Sequence, residues 1–185
     1  VITKGRSFAD GWHTQVYPII AATKTLRLDT TGAETTSNAF NNGGATSSVV
    51  YISTGYASSG RTIVAYCFHS VDGFSKVGSY TGNANVDNAF VYTGFRPAWV
   101  MIKPSTNTGN WAIQDAVREP NNVTLKRLFP DSIAAENGAE AESTYGIDLV
   151  SNGFKIRASH SSTGSAGTYI YLAFAETPFK YSNAR

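Results

Sequence analysis

Along most of its length the chain alternates short apolar runs, rich in β-branched and aromatic residues, with clusters of Gly, Asn, Ser and Thr. That is the pattern of many strands joined by turns. It predicts strands over residues 11–17, 23–28, 48–53, 62–69, 74–81, 98–103, 110–115, 123–129, 154–158 and 168–175. No stretch keeps a convincing helical period. Residues 132–141 (SIAAENGAEA) hold helix formers, but Gly138 and the low apolar content predict a solvated loop there. Two runs, TIVAYCF at 62–68 and TYIYLAF at 168–174, are apolar on both alternating faces, which predicts central strands covered on both sides. Such strands favour two packed sheets, with a slab of side chains about 10 Å thick, over one exposed sheet. The fold expected is an all-β antiparallel β-sandwich of jelly-roll-like form.

The same pattern is written twice. VITKGRSFADGWHTQ at the start and VMIKPSTNTGNWAIQ at 100–114 keep Val, Lys, Trp and Gln at identical spacing, with Val1, Lys4, Trp12 and Gln15 each 99 residues before a counterpart. Thr25, Leu26 and Arg27 stand at that offset from Thr124, Leu125 and Lys126, and TIVAYCF stands 106 residues before TYIYLAF. Three ordered blocks point to an internal duplication. The expected division is 1–72 as a first half-repeat, amino-terminally incomplete, and 73–185 as a second, the two packing as one compact unit. The strands FSKVGSYTGN and FVYTGFRPAW of the second copy have no equivalent in the first, and residue 1 is Val, so the chain is expected to be part of a longer polypeptide.

Length and composition narrow the function classes. A chain of 185 residues suffices for one well-buried domain or two small ones, and its 17 Gly with heavy Thr, Ser, Asn and Tyr usage fit an all-β chain. A net charge of +2, with no basic run, gives no electrostatic footprint for nucleic acid. The acidic residues Asp131, Glu136, Glu140, Glu142 and Asp148 cluster in one segment. The single cysteine, Cys67, excludes an intrachain disulfide framework and a multi-thiolate zinc site, and its apolar neighbours predict a buried small hydrophobe. No apolar run approaches the roughly 18 residues of a membrane helix, and no signal-peptide pattern occurs.

The blocks TIVAYCFHSVDGFSKVGSYTGN, FVYTGFRPAWVMIK, NGFKIR and TYIYLAFAETPFKYSNAR, taken together, resemble a repeat-containing domain of unknown function found near the carboxy terminus of bacteriophage tail-fibre and tail-appendage proteins, especially of marine and cyanobacterial phages. The resemblance covers nearly all of 62–185 and more loosely the first sixty residues; His69 stands where relatives often carry an acidic residue. It implies a lectin-like β-sandwich, an extracellular place on the virion tail, and an adhesive or structural role. The implied partners are a host-surface glycan or protein and other tail proteins, with a homo-oligomer, a trimer by analogy with tail fibres. It brings no catalytic residues and no cofactor.

Candidate chemistry is sparse. Asp115 with Glu119, or Glu136 with Glu140, could supply the two carboxyl groups of a polysaccharide-degrading enzyme, but neither pair stands where burial would raise a pKa, and solvated loop charge explains both. His13, His69 and His160 are scattered, with no serine elbow and no metal-ligand spacing. Asn83, Asn85 and Asp87 place oxygens at alternate positions as calcium loops do, but the twelfth position is Gly94 rather than Glu, so a polar hairpin loop is favoured over a calcium site. Trp12, Trp99 and Trp111 are expected in structural, core-packing positions, and Arg96 is expected to brace a strand end or pair with an acid. Ligand contact is sought in irregular loops, at Tyr56 to Arg61 and His160 to Ala166, with Tyr56, Arg61 and His160 as the candidate side chains.

Overall fold

The alternation builds a stack of antiparallel sheets. In the computed structural model, which describes residues 1–37, 39–46, 48–136 and 141–178, the strands are β1 (Ile2–Gly5), β2 (Trp12–Thr14), β3 (Lys24–Arg27), β4 (Thr35–Thr36), β5 (Phe40–Ala45), β6 (Val50–Ile52), β7 (Ile63–Tyr66), β8 (Ser75–Gly82), β9 (Phe90–Tyr92), β10 (Pro97–Pro104), β11 (Ala112–Asp115), β12 (Ile147–Val150), β13 (Gly153–Ile156) and β14 (Gly167–Ala175). One turn of helix, α1 (Glu142–Tyr145), lies within the acidic segment. The first sheet has the order β4-β3-β2-β1-β7, the second β11-β10-β14-β8, the third β12-β13-β9, and the fourth is the pair β5-β6.

Side-chain alternation on β14 shows how the layers join. Tyr169, Tyr171 and Ala173 point into a core shared with Val91, Ile147, Leu149, Phe154 and Ile156 of the third sheet. The intervening Ile170, Leu172 and Phe174 point the other way, into a core with Ile2, Ile20, Leu26, Met101 and Trp111 that lies between the first and second sheets. Phe40, Val50 and Ile52 of the fourth sheet pack on Val1, Phe8 and Ile63 across the far face of the first. Each fully buried Ile, Leu or Phe in these layers contributes about 1.5–3 kcal/mol of apolar burial. The result is an all-β sandwich architecture in four layers.

The pairing register carries both sequence offsets. Ile2, Thr3, Lys4 and Gly5 pair with Tyr66, Ala65, Val64 and Ile63, while Met101, Ile102, Lys103 and Pro104 pair with Leu172, Tyr171, Ile170 and Tyr169, shifts of 99 and 106 along the two strands. Ile2 and Thr3 pair with Thr14 and His13, as Met101 and Ile102 pair with Ile113 and Ala112. The third repeated block departs from this. Leu26 pairs with Thr14, but Ile113, the counterpart of Thr14, pairs with Leu128 and not with Leu125. Thr124 bridges to Ile147 instead, and residues 123–129 form isolated bridges rather than the expected strand.

The repeated polar residues serve the backbone. Gln15 Nε2 donates to the Lys24 carbonyl at 2.7 Å and Gln114 Nε2 to that of Thr124 at 2.8 Å, so each buried glutamine pins the loop beyond its strand. Lys4 Nζ donates to the Asp10 carbonyl; Lys103 Nζ donates to those of Thr31, Gly32 and Gly109. Trp111 is 2 % exposed and its Nε1 donates to the Arg27 carbonyl at 2.8 Å. Trp12 is only half-buried and stacks on Tyr66 at 6.3 Å.

Two expectations are corrected. TYIYLAF forms a central strand, but TIVAYCF does not: β7 is the edge of its sheet, and Ala65, Tyr66, Cys67 and Phe68 are exposed. Cys67 is therefore an exposed thiol and not a buried hydrophobe. Of the loop expected at 132–141, residues 132–136 are irregular and exposed, and 137–140 lie outside the described residues. Arg96 pairs with Glu176 at 2.9 Å, as its place beside a strand end predicts.

Candidate functional site

Inward alternation on the third sheet forces the complementary positions outward. Val91, Phe154 and Leu149 form one row across β9, β13 and β12 and are buried in the core. The next rows face away from it: Phe90 beside Lys155 and Asp148, and Tyr92 beside Gly153 and Val150. Phe90 is 49 % and Tyr92 65 % exposed. Two residues apart on one strand, they stand about 6–7 Å apart along it. Gly153 keeps β9 close, since a Cβ there would lie 2.1 Å from the Val91 carbonyl oxygen.

Charge rims this aromatic pair. Lys155 Nζ lies 2.7 Å from Asp87 Oδ1 and also donates to the Asn88 carbonyl. Its hydrogen bond holds the Asp87 carboxyl below the usual range. Arg157 Nε lies 2.7 Å from Asp148 Oδ2, and that bond pushes the guanidinium pKa up. A shallow depression lined by Val86, Asp87, Glu142, Ser143 and Arg157 adjoins the face. Flat apolar rings with fixed donors and acceptors at their rim can stack on the CH face of a sugar and hydrogen-bond its hydroxyls.

The loop candidates fall elsewhere. Tyr56 is buried, its ring 5.6 Å from Phe8 and 5.0 Å from His13, with burial pushing its hydroxyl pKa up, so it belongs to the core and not to a loop surface. Arg61 lies over the Phe8 ring at 4.4 Å and donates to the Gly55 carbonyl at 3.3 Å. His160, in the connection from β13 to β14, lies 3.1 Å from the Tyr145 hydroxyl, and its carbonyl accepts from the amides of Thr163, Gly164 and Ser165. Arg61 and Tyr56 meet at Phe8, with Arg61 Nη1 donating to the Tyr56 carbonyl at 3.5 Å, but His160 is not brought to them: Arg61 leads into the first sheet and His160 into the second. The outer face of β9 is not among the loop candidates, although the out-in-out pattern of Phe90-Val91-Tyr92 is legible in the sequence.

Of the three calcium candidates, Asn83 and Asp87 have side-chain oxygens already engaged. Asn83 Oδ1 accepts from the Asn85 amide, Asn83 Nδ2 donates to the Asp87 carbonyl, and Asp87 pairs with Lys155. Among the described residues no group of three or more His, Cys, Asp or Glu side chains is placed to hold a metal ion. Asp115 is held by Arg118, whose side chain and amide keep its carboxyl below the usual range against the opposing effect of burial. Glu119 accepts from the amides of Leu125 and Lys126, and Glu136 pairs with Arg118 at 2.6 Å; Glu140 lies outside the described residues.

No curated protein and no solved structure matches the chain. Residues 1–178 match the family described as Domain of unknown function (DUF7483), and the chain belongs to that family.

Proposed function

We propose that the chain is a host-attachment module of a bacteriophage tail fibre or appendage, and that it binds a cell-surface glycan through the outer face of the third sheet. The observation that carries this reading is the pair Phe90 and Tyr92, held exposed on one strand beside two fixed ion pairs. Exposed aromatics scattered singly need no ligand to explain them, but two on one rigid strand with polar groups at their edge make a platform. The resemblance of the strand blocks to tail-fibre domains supplies the location on the virion and the trimeric assembly in the proposal. A fibre end that presents the face in several copies would gain avidity without new contacts.

The test is binding of the purified chain to an array of bacterial envelope glycans and to intact marine and cyanobacterial cells, with the double variant Phe90→Ala/Tyr92→Ala alongside. Loss of two stacking platforms predicts binding at least tenfold weaker in the variant, with little change in melting temperature because both side chains are exposed. Equal binding by the two proteins would remove the platform from the mechanism. Binding by neither, on a panel that includes the natural host, would leave a structural tail role, and release of new reducing ends would point to polysaccharide cleavage.

A further inference from the structure

The repetition between the sheets also breaks at the outer edge of β7. β14 is paired on one side with β10 and on the other with β8, over eight positions from Gly167–Gly82 to Phe174–Ser75. β7 occupies the same register on β1 as β14 does on β10, yet its other edge has no strand among the described residues. Carried back by 106 residues, the β8 register would put partners against Arg61 through Phe68. Ala65, Tyr66, Cys67 and Phe68, within that run, are exposed, and Cys67 stands where Ala173 is fully buried.

Two further features mark the same gap. A cleft of about 800 Å³ opens just beyond the end of β7, lined there by Val1, Cys67 and Phe68 and on the second sheet by Val77 and Leu172. The outer layers differ in the same sense: three strands, β12-β13-β9, lie behind the second sheet, and two, β5-β6, lie behind the first.

We propose that the outer edge of β7, which has no strand partner among the described residues, is a docking edge for one more antiparallel strand of the β8 type, in the register that β8 takes on β14, carried by polypeptide additional to these 185 residues. Backbone pairing would supply the affinity, and alternate side chains of the added strand would enter the cleft as Val77 enters the core between the sheets. The incoming strand is freed from one constraint on β8. Gly78 must lack a side chain because a Cβ there would lie 2.6 Å from the Tyr171 hydroxyl, whereas the residue at the Tyr171 position on β7 is Ala65. A symmetric pairing of two copies through β7 would join four-residue strands and leave the place beside β6 open. A β8–β9 segment fills both.

Cys67 reports the outcome. A second copy of residues 74–99 is fused directly ahead of Val1, because Trp99 precedes Val100, the counterpart of Val1, and a control carries the same residues scrambled. Docking is expected to slow alkylation of Cys67 by a maleimide at least tenfold relative to the scrambled fusion and to protect β7 amides from hydrogen exchange. Equal alkylation in both fusions overturns the proposal. If the fusion does not fold, the free peptide FSKVGSYTGN added to the unmodified chain must give the same Cys67 protection, and failure to do so counts equally against it. Protection of Cys67 that grows with concentration of the unmodified chain, together with a dimer by light scattering, would assign the edge to a second copy and would also overturn it.

Discussion

At the scale of single residues, positions that match between the two halves differ in environment while sharing a backbone task. Lys103 is the extreme case. Its fully buried side chain uses three donors on the Thr31, Gly32 and Gly109 carbonyls, at 3.1, 2.8 and 2.9 Å, tying two loops from different halves of the chain together. Burial lowers its pKa from 10.5 to about 8, with nearby Asp131 acting in the opposite direction. The folded value lies below the unfolded one, so between about pH 8 and 10.5 the unfolded chain binds more protons, and stability rises with pH through that window. Below it the fold carries the full cost of a buried ammonium. Denaturation of the wild type and of Lys103→Met across pH 7 to 11 should therefore show a wild-type stability that climbs relative to the variant between those limits. Parallel profiles would mean that Lys103 does not titrate in this range in the folded protein.

At the scale of elements, the aromatic face depends on how one loop is fastened. Asn88, buried at the start of β9, donates from Nδ2 to the carbonyls of Asn85, Ala158 and Gly164 at 2.9, 3.0 and 2.7 Å, and its Oδ1 accepts from the amides of Asn83 and Ala89. Asn88→Asp keeps the shape but turns a donor toward three carbonyls into a carboxylate. The expected cost is roughly 2–4 kcal/mol in urea denaturation, with faster hydrogen exchange in β9, because buried acceptors lose their partner and face charge. A loss below about 1 kcal/mol would show that the loop is held by other contacts. Strand patterning is enough to read long strands such as β8, β10 and β14, the last two nearly continuously apolar because their alternate residues face two different cores. It is not enough for β5 (FNNGGA), whose composition reads as a turn, or for TIVAYCF, whose apolar character is the same whether its edge is covered or open. Burial of a strand is a property of its neighbours, and Cys67 and Ala173 show two outcomes for one register position. Phe90 and Tyr92 were legible as alternating positions, but which face they took depended on the third sheet packing over Val91.

At the scale of the whole molecule, the layers are coupled through the core between the first and second sheets. Ile20 and Leu26 come from the first half of the chain and Met101, Trp111, Ile170 and Leu172 from the second, so neither contribution to that core is buried without the other. The Trp111 indole adds a directional tie to the Arg27 carbonyl, and Lys103 ties Thr31 and Gly32. Units that share a core of this kind unfold together, and a single transition is expected in calorimetry. Ile20 offers a clean way to break the coupling, because it is 1 % exposed yet lies in the connection between β2 and β3 and not in a strand ladder. Ile20→Asp would bury an unpaired carboxylate in the shared core at a cost of several kcal/mol while leaving both sets of strand pairings intact. The expected result is two resolved transitions, the earlier one accompanied by loss of amide protection in β1 to β3 and the later one by loss in β10 and β14. A single transition merely shifted to lower temperature would mean that cooperativity runs through the backbone connections and the Lys103 bonds, and that the apolar layer contributes stability without coupling the halves.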